Sequence, residues 1–395
     1  MKQTRSLTLP FALGQAGFWM SLCIALSFAA VHLKALGFSN TELGLVMAAG
    51  NIVGALLGPV LASLAETRPG MTTAGLIWPL LAIRALFLSL LLGCTGRSAA
   101  SAALYAAYLA AAMAVNSLNL KFCVDAERLG LALDYGTARA VGSLAFVLVS
   151  ALLGLLVQRF SYRALIWAGF AVLLLQALAN LWTGAALGTA PLPSRTHDRR
   201  AAVPLPAFLR AQPRFTLFLL GSVLLYVSHN MITGFLINIV RNAGGDEAVM
   251  GYMNAFMAVV EVPVMLLFGR LSRGRRVSAL LRFSVAMFLL KALAFAAAPG
   301  IPTLFAANLL QAPSFALYTS AIVPYVSAVI DRENAAKAQS LAFSMTTLGA
   351  VGASLFGGWL YDHCSVPLTL LIGAAVCAAG VAICLPAIRP TEQAS

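Results

Sequence analysis

Residues 164–214 read ALIWAGFAVLLLQALANLWTGAAL followed by GTAPLPSRTHDRRAAVPLPAFLRAQPR. The first part, Ala164–Leu187, carries no charge and exceeds the roughly 20 apolar residues that cross a bilayer as an α-helix. The second part, Gly188–Arg214, changes character at once. It holds Pro191, Pro193, Pro204 and Pro206 and a basic cluster at Arg195, Arg199 and Arg200. An apolar span that stops at a proline-rich, basic stretch is a boundary, and the rest of the chain shows what it divides.

Five further apolar runs precede it, near Leu9–His32, Leu43–Leu64, Thr73–Leu92, Ala100–Leu120 and Ala140–Val157. Six follow, near Phe215–Ile239, Val249–Phe268, Val277–Ala298, Thr303–Ala328, Ser340–Leu360 and Pro367–Leu385. The predicted fold class is therefore an all-α membrane protein of twelve transmembrane helices. Residues 1–187 form an N-terminal six-helix bundle, 188–214 a cytoplasmic linker and 215–395 a C-terminal six-helix bundle. The connections carry Gly, Pro, Asn and charge, as turns do.

Composition agrees. The chain is 61% apolar and 10% charged, too little charge to cover the surface of a soluble protein. Backbone groups in lipid must pair within helices or closed barrels, and long runs without alternation exclude a barrel. The net charge of +13 reads as topology and not as nucleic-acid binding. Of the 26 Lys and Arg, only Lys34, Arg97, Arg159, Arg163 and Arg241 fall on outer segments when the N-terminus is cytoplasmic. Arg84, Arg282 and Lys291 lie within helices, and all others face the cytoplasm. That asymmetry puts both termini inside, in a bacterial inner (plasma) membrane.

The run after Lys2 and Arg5 is longer than a signal-peptide core and is read as the first span. The six cysteines show no CxxC spacing and read as small apolar residues. No P-loop, nucleophile elbow or metal-ligand cluster is visible. The expectation is a non-enzyme without cofactor or metal. Its partners are a small-molecule solute, protons and membrane lipid, and it acts as a monomer.

The halves share a short repeat. Ala140–Phe146 reads AVGSLAF and Lys337–Phe343 reads KAQSLAF, at equivalent places in the fifth and eleventh runs. Parallel six-helix repeats are a transporter architecture.

Several stretches carry a family resemblance. They are His32–Ser39 with Glu42–Leu45, Gly58-Pro59 with Leu64-Ala65-Glu66, Tyr135-Gly136 with Arg139 and Gly142-Ser143, Gly251-Tyr252 with Glu261-Val262, and Gly357–Asp362. Together they make the chain resemble the major facilitator superfamily. Within it the likeness is to the branch of lactose permease-like, phenylpropionate permease-like and nucleoside–proton symporter-like proteins. The resemblance implies two pseudo-symmetric bundles, alternating access and a solute bound between the halves. It also implies gating roles for Glu66, Arg68, Arg139, Arg270 and Asp362. Departures are visible. The loop after Glu66 keeps one basic residue, Arg68, while its counterpart Gly269–Arg276 keeps the basic run without an acid. Lys291 stands where relatives tend to carry Arg. Gln311 and Tyr318 stand where some carry histidine.

Candidate functional residues follow from the cost of intramembrane charge, about 2.5–3.5 kcal/mol on insertion scales. Glu261, mid-helix beside Pro263, is the candidate proton carrier; the alternative is a fixed ion pair between helices eight and nine. Lys291 is its natural partner, or that of an anionic solute, unless its stem snorkels to the interface. Arg84 is roughly the counterpart of Lys291 in the third helix. Two such cations could hold an anionic solute, or Arg84 could bond helix-end carbonyls. Gln15, Asn51, Asn116, Asn119, Tyr226, His229, Asn230, Asn254, Gln311 and Tyr318 supply hydrogen-bonding groups to a polar cavity, or serve singly as helix–helix glue. Asp125, Glu127, Arg128 and Asp134 read as a solvated cytoplasmic ion network.

The expected function is secondary transport of a small polar solute, with proton symport of a sugar or nucleoside preferred. The alternatives are a permease for an aromatic carboxylate, a proton-antiport exporter, and a non-transporting receptor.

Overall fold

A computed structural model describes residues 7–68, 71–129, 131–187 and 204–392. Among them 12 helices are long and apolar enough to cross a membrane. We number these spans 1–12: Thr8–Ser27, Asn40–Thr67, Thr73–Leu92, Ala99–Arg128, Tyr135–Arg159, Ala164–Ala185, Pro213–Thr233, Glu247–Ser272, Val277–Ala296, Ile301–Val329, Arg332–His363 and Val366–Ala387. Every apolar run expected from the sequence is present, mostly lengthened by polar end turns. The basic cluster Arg195, Arg199 and Arg200 lies outside the described residues.

Two runs break where one helix was expected. Span 1 passes through a π-helical turn, Cys23–Ser27, and restarts as Ala29–Ala35. Span 7 ends at Thr233 and restarts as Leu236–Asn242. The first span of each half is thus followed by a short second helix, reached through a π turn in span 1 and through a simple turn in span 7.

The connecting residues set the helix starts. Ser39 opens span 2 with a reciprocal box: its Oγ accepts from Glu42 N at 3.2 Å and its own N–H donates to Glu42 Oε2 at 2.9 Å. Thr72, Ser98 and Ser365 cap spans 3, 4 and 12 by the same side-chain logic. These residues satisfy donors that helix geometry leaves free. Asp134 caps span 5. Bonds from the Thr137 hydroxyl and then its backbone hold the Asp134 carboxyl below the usual aspartate range.

The chain divides into two compact units. One is Met1–His197 with Glu247–Ala255; the other is Asp198–Asp246 with Phe256–Ser395. The opening turns of span 8 therefore pack with spans 1–6, where Ser150 Oγ donates to Gly251 O at 3.1 Å. In the first unit, Gly54 lets span 2 approach span 4 closely. A Cβ there would lie 2.6 Å from Met113 Cβ and 3.0 Å from Ala110 O, which is the small-residue contact membrane helices use. The second unit has an aromatic core of Phe215, Phe218, Tyr226, Phe288, Tyr318 and Tyr325. The end of the expected linker joins it: Leu205–Ala211 is helical, and Phe208 sets its ring 6.3 Å from that of Phe215.

Candidate functional site

Span 10 is irregular where it carries polar groups. An α-helical Ile301–Asn308 tightens to a 3-10 turn at Leu309–Gln311 and widens to a π turn at Ala312–Ala316. Pro313 lies in the π turn and has no N–H for the regular ladder, and such bulges recur at functional sites. The irregularity brings Gln311 and Phe315 toward spans 7, 8 and 9.

Four polar residues meet there. Gln311 Nε2 donates to Glu261 Oε1 at 2.6 Å. Lys291 Nζ donates to Gln311 Oε1 and lies 3.3 Å from His229 Nδ1. One amide thus links cation to carboxylate with both of its ends engaged. Lys291 and Gln311 are each 1% exposed. The surroundings are aromatic. His229 stacks on Phe315 at 4.8 Å and 5°, Phe288 sits edge-on at 5.9 Å, and Lys291 Nζ lies 5.7 Å from the Phe295 ring centre. Lys291, Gln311 and His229 are buried and Glu261 is partly exposed, so the Lys291 charge lies at a lower dielectric than bulk water.

The first unit repeats half of this pattern. Arg84, on span 3, is fully buried. Its Nη1 donates to Gln176 Oε1 at 2.8 Å, and Ser21 Oγ donates to the same oxygen at 3.2 Å. Its Cζ lies 5.6 Å from the Tyr108 ring centre. In both units a cation on the third helix donates to a glutamine carbonyl beside an aromatic ring. The second unit adds a carboxylate; the first does not. Arg84 Nε and Nη2, and Tyr108 OH, have no hydrogen-bond partner among the described residues. Nε–H and Nη2–H form one edge of the guanidinium, the two-pronged edge that matches a carboxylate.

The remaining polar candidates are dispersed. Asn51 and Asn230 spend an amide N–H on their own helices, to Met47 O at 2.9 Å and Tyr226 O at 2.8 Å. Tyr318 OH bonds Ser222 Oγ at 2.7 Å, and Tyr226 lies edge-on to Tyr318 at 5.7 Å. Gln15 is buried in span 1, its backbone carbonyl facing Gly142. Asn116 is exposed. Asn119 and Asn254 are buried, each with an unpaired Nδ2.

The gating candidates sit at helix ends. Glu66 pairs with Arg128 at 2.9 Å. Arg139 lies 3.8 Å over the Trp19 ring and donates to Ser143 Oγ at 2.6 Å. Arg68, Arg270 and Asp362 are exposed at the ends of spans 2, 8 and 11. One expectation is corrected: Asp125 is not solvated. It is 2% exposed, bonded to Lys121 at 2.7 Å and Thr73 Oγ1 at 2.5 Å. Lys121 continues span 4 four residues before Asp125, one helical turn away and on the same face.

Comparison with known proteins fits this architecture. The model of the MFS_1 like family matches residues 18–371. The chain belongs to that family. The "Probable 3-phenylpropionic acid transporter" of Escherichia coli (strain K12) is 26% identical over 362 residues, covering 89% of this chain and 90% of that protein. The crystal structure of the nucleoside transporter NupG superposes with a TM-score of 0.78 at 16% identity, covering 98% of this chain and 100% of that one. The POT family transporter PepTSo gives 0.73 at 10% identity, covering 98% and 97%. This MFS_1-like chain is thus a multi-pass secondary transporter of the MFS type and not an enzyme.

In this family member, sequence reasoning passed over Gln176, Ser21, Tyr108 and Phe315. A signal existed for Gln176, the one amide inside the run Leu173-Leu174-Leu175-Gln176-Ala177-Leu178. Tyr108 gave none among its alanines.

Proposed function

We propose that the chain carries a small aromatic carboxylate together with a proton by alternating access, in a bacterial inner membrane with both termini cytoplasmic. The observation that carries the substrate class is Arg84. A fully buried guanidinium with its two-pronged edge unpaired has desolvation cost without full compensation. A ligand carboxylate would supply the missing acceptors. Tyr108, against the guanidinium, offers an aromatic face. The likeness to a phenylpropionic acid transporter supports the same class.

A neutral sugar or nucleoside finds less support. Polyol recognition needs several free amides and hydroxyls. Gln311 and Tyr318 spend theirs within the protein and Asn51 and Asn230 one amide N–H each, which leaves the Nδ2 groups of Asn119 and Asn254 as the unpaired buried amide donors among these candidates in the described residues.

Coupling is assigned to Glu261, Gln311 and Lys291. Protonating Glu261 removes the charge that Gln311 Nε2 bonds. The amide then holds Lys291 less firmly, so proton loading alters the buried cation through one side chain. The protein is read as working as a monomer, without a cofactor.

The test is uptake of labelled 3-phenylpropionate into proteoliposomes under an imposed pH gradient. Wild type should concentrate the solute with inside-alkaline vesicles. Glu261→Gln should abolish that accumulation and retain exchange of external for internal solute. If Glu261→Gln still accumulates solute, the coupling role is wrong. If wild type transports sugars or nucleosides and no aromatic acid, the substrate class is wrong.

A further inference from the structure

The turn between spans 8 and 9 reads Gly269-Arg270-Leu271-Ser272-Arg273-Gly274-Arg275-Arg276. Of its four arginines only Arg270 has been given a role above, as a gating candidate. In the first unit the cation near the matching turn, Arg128, is paired with Glu66. Among the described residues no ion pair engages Arg270, Arg273, Arg275 or Arg276. Gly274, at φ +65, reverses the chain. Arg275 reaches back to Leu271 O at 3.4 Å, which occupies one N–H and leaves the rest. Arg276 precedes the first turn of span 9, where backbone N–H groups favour anions.

Beside these charges lies a groove of about 470 Å³. Arg275 and Arg276 line it together with Ala279, Leu280 and Phe283 of span 9, Leu271 and Leu317. Phe283 is 50% exposed. The size falls within the range of sites that hold drug-sized ligands. A membrane-facing surface needs apolar residues but no concavity, and a phosphate site needs arginines but no apolar floor. The two together match an amphiphile with an anionic head.

We propose that this groove binds an anionic phospholipid, with its phosphate on Arg275 and Arg276 and one acyl chain along Ala279, Leu280 and Phe283. Arginine is suited to phosphate by its fork geometry. Basic pockets between membrane helices on the cytoplasmic side recognise acidic head groups. With no acid at the mouth, a net-negative head group is favoured over a zwitterionic one. The bound lipid would tie the end of span 8 to spans 9 and 10.

The test uses the full chain in mixed phosphatidylcholine–phosphatidylglycerol nanodiscs, then counts co-purified lipid by native mass spectrometry. Wild type should retain phosphatidylglycerol in excess of its bulk share. Each arginine removed in Arg275→Gln and Arg276→Gln should lower that enrichment by about fivefold. Arg270→Gln with Arg273→Gln should leave it unchanged. Ala279→Trp fills the groove without touching charge and should lower retention to a similar degree; Ala279→Leu is the milder replacement should the tryptophan variant aggregate. Unchanged retention in the Ala279 variants would overturn the proposal in favour of diffuse surface charge. Retention of added glycerol phosphate, which has no acyl chains, to the same extent as phosphatidylglycerol would overturn it in favour of a free-phosphate site.

Discussion

Replacing Arg84 with methionine separates a binding role from a structural one. The side chains are similar in length, but methionine carries no donors. Among the described residues Arg84 donates to Gln176, while its Nε and Nη2 find no acceptor at hydrogen-bond geometry. Replacing buried ionic groups by well-packed apolar residues of similar volume is often neutral or stabilising, by about 1–4 kcal/mol for ion pairs, and Arg84 has no carboxylate partner to strand among the described residues. Gln176 keeps its bond from Ser21. The ligand-free melting temperature of Arg84→Met should therefore hold or rise. Binding should behave in the opposite way. A two-pronged contact to a carboxylate contributes hydrogen bonds of about 1.5–3 kcal/mol each. Arg84→Lys, which retains charge but loses the fork, should weaken 3-phenylpropionate by roughly 10- to 150-fold. Arg84→Met should abolish the ligand-induced thermal shift. The assay is differential scanning fluorimetry of purified protein with and without the acid, backed by isothermal titration. If Arg84→Met melts far below wild type while binding the acid normally, Arg84 is a structural residue and the carboxylate reading fails.

Two further predictions test the packing. Asp125→Asn should cost about 3–5 kcal/mol, since it strips a buried partner from Lys121, whereas Glu66→Gln at a half-exposed pair should cost about 1 kcal/mol or less; equal shifts in melting temperature would contradict the burial assigned to Asp125. Gly54→Ala forces a Cβ to 2.6 Å from Met113 and should cost about 1–3 kcal/mol. Gly269→Ala, with nothing within 4 Å, should be neutral or slightly stabilising in the same assay.

The fold was legible because lipid permits so few solutions. Uncharged runs of helix length, one proline-rich basic stretch and a lopsided charge distribution left little choice. What could not be read was where each run bends. Cys23–Ser27 and Ala312–Ala316 are π turns. Pro313 marks the second, but nothing local marks the first. Phe28 leaves helical geometry at φ −101 and ψ 7.

The site divides along a similar line. Glu261 and Lys291 stood out because charge is costly in hydrocarbon, and the same cost predicts that they find partners. Gln311 meets both, 50 residues from Glu261 and 20 from Lys291. The amides were less legible, because an Asn in an apolar helix has two ways to satisfy its N–H. Asn51 and Asn230 turned to the carbonyl four residues back; Gln311 reached other spans. One methylene more of reach is part of the difference, and the loosened backbone at Leu309–Ala316 is the rest.

That contrast bears on how the two halves differ chemically. Each unit buries a cation against a glutamine carbonyl, but only the second places a carboxylate on the far end of the amide. A cation with an internal counter-ion can exchange its balance for a proton. A cation without one needs its counter-ion from outside. Under the proposed function, the acid at Glu261 would give proton handling to the second unit, and the lack of one around Arg84 among the described residues would give anion capture to the first. Placing a carboxylate beside Arg84, as in Ser21→Asp, should then satisfy the free edge from within. The variant should gain thermal stability, lose the stabilisation by 3-phenylpropionate, and leave the Glu261 network intact. If Ser21→Asp still bound the acid as wild type does, Arg84 would not be the group that receives it.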